Sequence, residues 1–176
     1  SETKMINILQ ENKRLLDVVN EKDQIIDSKP RNEVHRLGLL HREIHVFMFD
    51  ESKNVFFQKK GLHKAHAGLL DATVAGHVNQ KEEYSEAAVR ETQEETGINI
   101  KPSDLILLKK LTVSNLPPDD FGGTVNNFIR SIFIYKNPIK EDMLKKEEGI
   151  QGGGFRKFSY DFLSKLSKIV LDKMPI

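Results

Sequence analysis

Apolar residues along the chain occur in short runs bounded by turn-forming residues, and this pattern predicts a series of β-strands. Residues 43–49 (EIHVFMF) and 54–58 are predicted to be two strands on either side of a turn at 50–53. Further strands are predicted at 69–75, 104–113, 125–135 and 155–158. These strands surround two separated helical segments, so we expect a mixed sheet sandwiched between helices, an α/β/α fold.

The helical segments differ from the strands in composition and spacing. Residues 160–173 carry an apolar stripe at helical period, formed by Phe162, Leu163, Leu166, Ile169 and Val170. Near the middle of the chain, Ala87 and Ala88 precede a stretch rich in Glu, Gln and Arg, which favours a helix. Gly97 suits a left-handed residue at the C-terminal end of that helix.

The N-terminal part of the chain allows two interpretations. Residues 2–14 could begin as a short amphipathic helix, with Met5, Ile8 and Leu9 on one face. Residues 15–19 and 24–27 flank a polar turn and predict a β-hairpin; one continuous helix or coiled coil through Ile26 is the alternative. The hairpin is preferred because Asn12 and Lys22 fall where a heptad needs apolar residues. We therefore expect an N-terminal extension at 1–14 and a single domain at 15–176.

Three glutamates crowd the C-terminal part of the central helix. Glu91 lies three and four positions before Glu94 and Glu95, so each pair would cost about 0.2–0.5 kcal/mol as neighbouring like charges. The helix dipole also disfavours negative charge in the last turn. A solvated charged face is the ordinary interpretation of such a run. Because bound divalent cations would reverse the sign of all three penalties, the arrangement predicts a cation site.

The spacing around these glutamates resembles the Nudix box, the signature of the Nudix (MutT-like) family. The matching positions are Gly76, Glu82, Arg90, Glu91, Glu94, Glu95, Gly97 and Ile98. Thr92 departs from the pattern, since the family has an aliphatic residue there. That position packs inward, so the departure bears on how the helix fits rather than on metal chemistry. The resemblance implies a Nudix-like α/β/α sandwich with a mixed β-sheet.

The resemblance also implies roles for individual residues. It makes Glu91, Glu94 and Glu95 ligands of Mg²⁺, or of Mn²⁺ as a substitute, joined by the backbone carbonyl of Ala75. Arg90 and Glu82 would form a supporting pair that holds the loop against the helix. Many family members take one more carboxylate from a later loop, and the candidates here are Glu147 and Glu148, for which a solvated charge cluster is the alternative.

Outside the box, the chain resembles the isopentenyl-diphosphate isomerase-like branch of that family. The supporting segments are LLDVVNEKDQIID (15–27), RNEVH (31–35), GLLHR (38–42), FQKK (57–60) and AGH (75–77). The isomerases carry a catalytic cysteine in a Cys-Gly-His triplet, and here Ala75 takes its place. They also use histidine ligands, and His35, His41 and His77 lie near those positions. These three histidines could hold a second cation, although packed or capping histidines are more common than ligands.

Composition excludes several other classes of protein. The 176-residue chain has 27 Lys and Arg against 26 Asp and Glu, with no basic block, so no polymeric nucleic acid is implied. It has no cysteine, which excludes disulfides, thiol nucleophiles and thiolate metal sites. No apolar run approaches the roughly 20 residues of a membrane span. A cytoplasmic protein is expected; its oligomeric state is open, with a homodimer the commonest assembly.

The sequence therefore predicts a Mg²⁺-dependent pyrophosphohydrolase that cleaves a diphosphate linkage in a nucleotide or nucleoside diphosphate derivative, using metal-activated water. Candidate substrate contacts are Lys59, Lys60 and Lys64 for a phosphate and Phe121 for a base, although each could equally be an exposed or packed side chain. An isopentenyl-diphosphate isomerase-like enzyme and a non-catalytic nucleotide-binding sensor are the alternatives. The absent thiol argues against the first, and the complete carboxylate set against the second.

Overall fold

The computed structural model describes residues 2–60, 69–116, 125–145 and 154–173. Its helices are α1 (Glu2–Lys13), α2 (Arg31–Leu37), α3 (Tyr84–Thr96) and α4 (Tyr160–Lys173). Its strands are β1 (Leu15–Val19), β2 (Ile25–Pro30), β3 (His41–Phe47), β4 (Asn54–Lys59), β5 (Leu70–Asp71), β6 (Val74–His77), β7 (Leu105–Leu116), β8 (Asn126–Tyr135) and β9 (Gly154–Ser159). No helix in these segments is long and apolar enough to span a lipid bilayer.

The central sheet has four strands in the order β6-β3-β8-β7. β3 and β8 pair in parallel, whereas β6 and β7 pair antiparallel with their neighbours, so the sheet is mixed as predicted. Helix α3 packs on one face of it and forms the main core, whose members include Ile44, Val46, Val74, Ala87, Ala88 and Phe133. A second sheet has the order β5-β4-β9, and β1 and β2 form a separate hairpin.

The predicted N-terminal hairpin is confirmed, and the continuous helix is wrong. β1 and β2 pair antiparallel, and the turn between them is held by the Asn20 side chain, whose Oδ1 accepts hydrogen bonds from the backbone N–H groups of Lys22 and Gln24, both 3.0 Å away. Asp23 completes the turn in a left-handed conformation, with φ of 61°. Leu16 and Val18 bury their side chains against Val34 of α2, a helix that the sequence pattern did not predict.

The single strand predicted at 69–75 is wrong, because the chain changes sheets within it. β5 pairs with β4 in the three-stranded sheet, whereas β6 pairs with β3 in the central sheet. At the crossing, the fully buried hydroxyl of Thr73 accepts a hydrogen bond from the Met48 N–H (2.9 Å) and donates one to the Phe56 carbonyl (2.5 Å). This side chain therefore satisfies the backbone N–H of Met48, just after β3, and the carbonyl of Phe56 in β4.

The turn at 50–53 is confirmed, although its flanking strands do not share a sheet. The Asp50 carboxylate accepts hydrogen bonds from the N–H groups of Ser52 and Asn54, each at 2.9 Å. The predicted strands at 125–135 and 155–158 and the helix at 160–173 are also present, close to their predicted bounds.

Candidate active site and histidine cluster

The three glutamates of α3 divide between the interior and the surface. Glu91 and Glu95 lie one helical turn apart and are buried against the central sheet, with 7% and 4% of their surfaces exposed. The Glu94 side chain is about half exposed, at 47%. Thr92 is fully buried on the same helix, in agreement with the inward position expected for it. The helix therefore places two carboxylates beneath the surface and a third at its edge.

Gly76 makes room for the buried carboxylate of Glu91. A Cβ atom at position 76 would lie 2.3 Å from Cδ and 2.4 Å from Oε1 of Glu91, closer than side-chain atoms approach one another. On the neighbouring residue, the Ala75 N–H points toward Oε1 of Glu95 at 3.4 Å. The backbone of β6, the strand before the loop at 78–83 (the box loop), thus contacts both buried carboxylates. Only glycine fits at position 76, where this backbone comes closest to Glu91.

Arg90 connects the loop, the strand and the helix. Its Nε and Nη2 atoms donate to the two oxygens of Glu82 at 2.9 and 3.0 Å, and Nη2 also donates to the backbone carbonyl of His77 at 2.9 Å. Its Nη1 donates to Glu91 at 2.9 Å and to Glu94 at 3.3 Å. One guanidinium therefore bridges three carboxylates, in the two-pronged geometry that arginine favours.

The charges of this group shift one another's pKa values. Burial raises the pKa of Glu82, but hydrogen bonds from Arg90 and from the Asn79 N–H outweigh this effect and keep the pKa below its ordinary value. Burial and the negative charge of Glu91 raise the pKa of Glu94, and Arg90 only partly offsets this rise. The site carries more negative charge than its one bridging guanidinium neutralises.

His35, His41 and His77 come together on the other face of the central sheet, where they form a buried group that we call the histidine cluster. One ring nitrogen from each lies within 4.8 Å of the others, and the Nε2 atoms of His35 and His77 are 3.1 Å apart. The three come from α2, the start of β3 and the end of β6. Within the described segments, this is the one set of His, Asp and Glu side chains that converges as metal ligands do.

Two histidines of the cluster, His41 and His77, have pKa values lowered by their surroundings, which favours the neutral form that metal ligands need. Burial lowers the pKa of His41 to about 4, with further lowering by His35 and Arg31. Burial also holds the pKa of His77 well below 6.5, and Arg31 adds to the effect. The Nδ1 atom of His41 lies 2.9 Å from the Leu39 carbonyl, so it carries the ring proton. The Nε2 lone pair is then directed into the protein, where it has no hydrogen-bond partner among the described residues.

A buried amide lies beside the histidine cluster. Asn126 is 1% exposed, and neither its Oδ1 nor its Nδ2 has a hydrogen-bond partner in the part of the chain that the structure describes. It precedes Phe128 by two positions on β8, and Phe128 is the register partner of His41. Asn126 and His41 therefore lie on the same face of two neighbouring strands, two positions apart in register. Sequence reasoning missed this residue, because an isolated asparagine carries no signal.

The other predicted substrate contacts lie elsewhere or outside the described residues. Lys59 and Lys60 are at the end of β4 in the three-stranded sheet, and Nζ of Lys60 is 3.7 Å from the Asp71 carboxylate. Four candidates fall outside the described residues: Lys64, Phe121, Glu147 and Glu148. The described structure thus brings the box residues together around Arg90 and the three histidines around one another, whereas Lys60 faces Asp71 of the three-stranded sheet.

A group around Asp23 attaches the N-terminal hairpin to the start of α3, and no pattern in the sequence predicted it. The Asp23 carboxylate accepts hydrogen bonds from Arg42 (2.7 Å), Lys110 (2.6 Å) and the Tyr84 hydroxyl (3.0 Å). Arg42 and Lys110 also lie over the Tyr84 ring, 5.1 and 4.6 Å from its centroid. Four segments distant in sequence meet at this point, so the hairpin is fixed against the first turn of the box helix.

Comparisons with known proteins agree with this geometry. Residues 39–161 match the NUDIX domain family. The chain is 32% identical over 158 residues to an uncharacterized Nudix hydrolase of Clostridium acetobutylicum, covering 85% of this chain and 72% of that protein. It is 33% identical over 132 residues to the isopentenyl-diphosphate Delta-isomerase of Streptomyces avermitilis, covering 73% of this chain and 65% of the isomerase.

A solved structure supports the same fold. The crystal structure of DR0079 from Deinococcus radiodurans superimposes with a TM-score of 0.60 at 19% identity, covering 88% of this chain and 89% of that one. The family match extends over more than half of the chain and includes every residue of the box. This protein therefore belongs to the Nudix hydrolase family, enzymes that cleave phosphorus-containing anhydrides.

Proposed function

We propose that this protein is a Mg²⁺-dependent pyrophosphohydrolase that cleaves the diphosphate linkage of a nucleotide or nucleoside diphosphate derivative. The observation that carries the proposal is the pair of buried carboxylates, Glu91 and Glu95, beneath the backbone of Ala75 and Gly76. Buried carboxylates are costly unless a cation compensates them. In the described structure, the single guanidinium of Arg90 is shared among Glu82, Glu91 and Glu94, and a divalent cation would add positive charge to this group of carboxylates.

The donor set fits Mg²⁺. Carboxylate and carbonyl oxygens are the ligands that this hard cation prefers, and Glu91, Glu94, Glu95 and the Ala75 carbonyl would supply them. When bound, the cation would neutralise phosphate charge and activate a water molecule for attack on phosphorus. Arg90 now contacts Glu91 and Glu94 through the same nitrogen, Nη1. Its Nε and Nη2 bonds to Glu82 and His77 would hold the loop and helix in place if Nη1 gave way to a cation.

Phosphorus NMR of a substrate panel tests this proposal. The panel contains nucleoside di- and triphosphates, nucleoside diphosphate conjugates and isopentenyl diphosphate, each with and without Mg²⁺ or Mn²⁺. We expect metal-dependent release of phosphate monoesters or inorganic phosphate. Double-bond migration without phosphate release would instead support the isomerase, and tight nucleotide binding without turnover would support the sensor.

Two variants and a matched control test the residues. Glu94→Gln and Glu95→Gln should each reduce the rate at least about a hundredfold, because they remove charge at the metal position. Glu86→Gln is the control: Glu86 lies on the same helix, is exposed and accepts a hydrogen bond from the Glu83 N–H at 3.1 Å, which glutamine can also accept. Near-normal rates in both test variants would disprove the metal assignment.

We also propose a second cation site at the histidine cluster. The specific observation is the convergence of three buried imidazoles, one ring nitrogen of each within 4.8 Å of the others. The Nε2 atom of His41 has no hydrogen-bond partner among the described residues. The unpartnered amide of Asn126 is a second unsatisfied polar group beside it. Imidazole ligands suit Zn²⁺ and other transition metals rather than Mg²⁺, so the two sites would select different cations.

Metal analysis tests the second site. Protein purified without chelator, or dialysed against Zn²⁺, should retain about one zinc per chain, and His77→Gln should lose it. His45→Ala is the control, because His45 is a buried histidine of the same strand as His41 but pairs with Asp71 at 3.4 Å. Equal zinc content in wild type and His77→Gln would contradict the assignment, whatever the outcome for Mg²⁺.

A further inference from the structure

The box loop is fastened to β1 by two consecutive backbone groups. The Gln80 N–H donates to the Leu15 carbonyl at 2.9 Å, and the Lys81 N–H donates to Oδ2 of Asp17 at 3.0 Å. The strand residue between these two acceptors also forms an antiparallel bridge with Asn79. Because β1 precedes the part of the chain that matches the family, an element outside that match holds the loop.

Asp17 is a buried carboxylate in an otherwise apolar part of β1. Its neighbours on that strand are the buried apolar residues Leu16, Val18 and Val19. Asp17 itself is 3% exposed. Burying a carboxylate is costly unless it is hydrogen-bonded, and the bond from the Lys81 N–H offsets part of that cost. The carboxylate therefore serves the contact with the loop rather than the packing of the strand.

The backbone of Lys81 adopts a conformation that benefits from this support. Its φ is 62°, in the left-handed region that residues with a side chain rarely adopt. The turn at this point directs the next residue, Glu82, back toward the start of the loop. Oε1 of Glu82 accepts a hydrogen bond from the Asn79 N–H at 3.0 Å, and its own N–H donates to the Asn79 carbonyl at 3.1 Å. An acceptor for the Lys81 N–H therefore stabilises the loop conformation that places Glu82.

Glu82 links the loop to the candidate metal ligands. Its two oxygens accept hydrogen bonds from Nε and Nη2 of Arg90 at 2.9 and 3.0 Å. Nη1 of Arg90 donates to Glu91 at 2.9 Å. Asp17 is thus connected to the buried Glu91 carboxylate through hydrogen bonds of 3.0 Å or less and the peptide bond between Lys81 and Glu82. A shift of the loop would shift the guanidinium, and with it this carboxylate.

We infer that Asp17 is a positioning residue of the candidate active site, which fixes the box loop so that Glu82 and Arg90 orient the buried glutamates for a cation. This inference rests on the proposed function. Asp17 acts through the Lys81 N–H rather than through contact with the substrate. Because a misplacement of about 1 Å in an active site can cost about a hundredfold in rate, its loss should affect kcat and the response to Mg²⁺ more than the KM for the substrate.

A Mg²⁺ titration of the steady-state rate, on a substrate identified by the NMR panel, tests this inference. Asp17→Val has nearly the shape of aspartate but no acceptor; it should lower kcat about 10–100-fold and raise the Mg²⁺ concentration for half-maximal rate about 3–30-fold, with KM changed less than about threefold. Asp17→Asn should keep most of both values, because its amide oxygen can also accept from the Lys81 N–H. An unchanged kcat and Mg²⁺ response in Asp17→Val would overturn the inference.

Two controls separate positioning from stability. Val18→Ala removes buried apolar atoms from the same strand, so it should lower the urea midpoint. A smaller folded fraction lowers the rate but leaves the Mg²⁺ concentration for half-maximal rate unchanged. Asp27→Ala removes an exposed carboxylate of the same hairpin, which accepts a hydrogen bond from the Ser28 N–H at 2.8 Å, and it should change neither quantity. A shift of the Mg²⁺ response in Val18→Ala as large as that in Asp17→Val would overturn the specific role of Asp17.

Proton–nitrogen NMR of the metal-free protein separates this inference from the proposed function. In Asp17→Val, the Lys81 amide should exchange with solvent at least about tenfold faster than in wild type. The Arg90 Nε–H signal, which reports the bond to Glu82, should shift or broaden in that variant but not in Asp17→Asn. If no panel compound is hydrolysed but both signals respond, Asp17 positions the site whatever its reaction. If hydrolysis proceeds and the Arg90 signal is the same in wild type and Asp17→Val, the inference fails alone.

Far-UV circular dichroism checks that each variant is folded. If Asp17→Val is unfolded, Asp17→Ala takes its place in both measurements. If neither of these variants folds while Asp17→Asn does, the role of Asp17 is structural and the inference is overturned.

Discussion

Replacing Gly76 with alanine should displace the buried carboxylate of Glu91. The new Cβ atom would be 2.3 Å from Cδ, 2.4 Å from Oε1 and 2.7 Å from Cγ of Glu91, so the glutamate has to move. Gly76 does not have the positive φ that marks Gly38 and Gly97, so backbone strain contributes little. The substitution is therefore a test of packing between the strand and the carboxylate.

The size of the effect follows from two contributions. Inserting a methyl group into a filled site costs about 1–3 kcal/mol. Moving Glu91 also weakens its 2.9 Å bond to Arg90, a charge-assisted hydrogen bond of about 1.5–3 kcal/mol whose glutamate is 9% exposed. The two contributions are not additive, because the movement of Glu91 that relieves the steric clash is the same movement that weakens its bond to Arg90. We expect a loss of about 2–4 kcal/mol in the free energy of unfolding and at least about a hundredfold loss of hydrolysis.

A double-mutant cycle gives the decisive assay. Urea unfolding is followed by far-UV circular dichroism, since the chain has no tryptophan. Glu91→Ala removes the three atoms with which the new Cβ would collide, so Gly76→Ala should cost less than about 1 kcal/mol in that background. The coupling between the two positions should then be about 1–3 kcal/mol. An equal cost of Gly76→Ala in both backgrounds would refute the steric reasoning.

The remaining predictions concern pH, Arg90 and the Asp23 group. In metal-free protein, burial lowers the pKa of His41 to about 4 in the folded state, against about 6.5 in the unfolded state. The free energy of unfolding should therefore fall by roughly 3 kcal/mol as the pH falls from about 6.5 to about 4. Urea midpoints of wild type and His41→Asn measure this pH dependence, and identical pH slopes in the two proteins would contradict the prediction. Arg90→Lys keeps the charge but loses the fork on Glu82, and it should lower stability by about 1–3 kcal/mol; an unchanged urea midpoint would argue against that fork. Asp23→Ala leaves Arg42 and Lys110 without their shared carboxylate. It should lower stability more than Tyr84→Phe, which removes one hydroxyl whose hydrogen bond contributes about 1 kcal/mol. A lower melting temperature for Tyr84→Phe than for Asp23→Ala would contradict this network.

Features that depend on neighbouring residues could be predicted from the sequence. The hairpin turn at Asn20 is held by hydrogen bonds within four positions, and α3 ends at Gly97 with φ of 76°, as its composition predicts. The strip of carboxylates follows from helical spacing alone. That Glu91 is buried and Glu94 exposed depends on which face of α3 meets the sheet, and the buried alanines at 87 and 88 identify this face only once the fold is known.

Features that depend on distant residues could not be predicted in this way. The strand at 69–75 is interrupted because Thr73 bonds to residues 25 and 17 positions earlier in the chain. The Tyr84 hydroxyl reaches Asp23 across 61 positions, and no local periodicity reports such a contact. The histidines were found through resemblance to a family, but their convergence requires α2, β3 and β6 to be assembled.

The parallel pairing of β3 and β8 has a consequence for how the chain folds during synthesis. Paired residues such as Glu43 and Arg130 are 87 positions apart in the sequence, and both β6 and α3 lie in the segment between them. At ribosomal rates of about 5–20 residues per second, β3 waits roughly 4–17 s for its parallel partner. During that interval β6 and the box helix can already dock on β3, but its other edge has unpaired backbone groups. We expect this nascent intermediate to be the species most prone to aggregate or to recruit chaperones, since an open strand edge is a template for other chains.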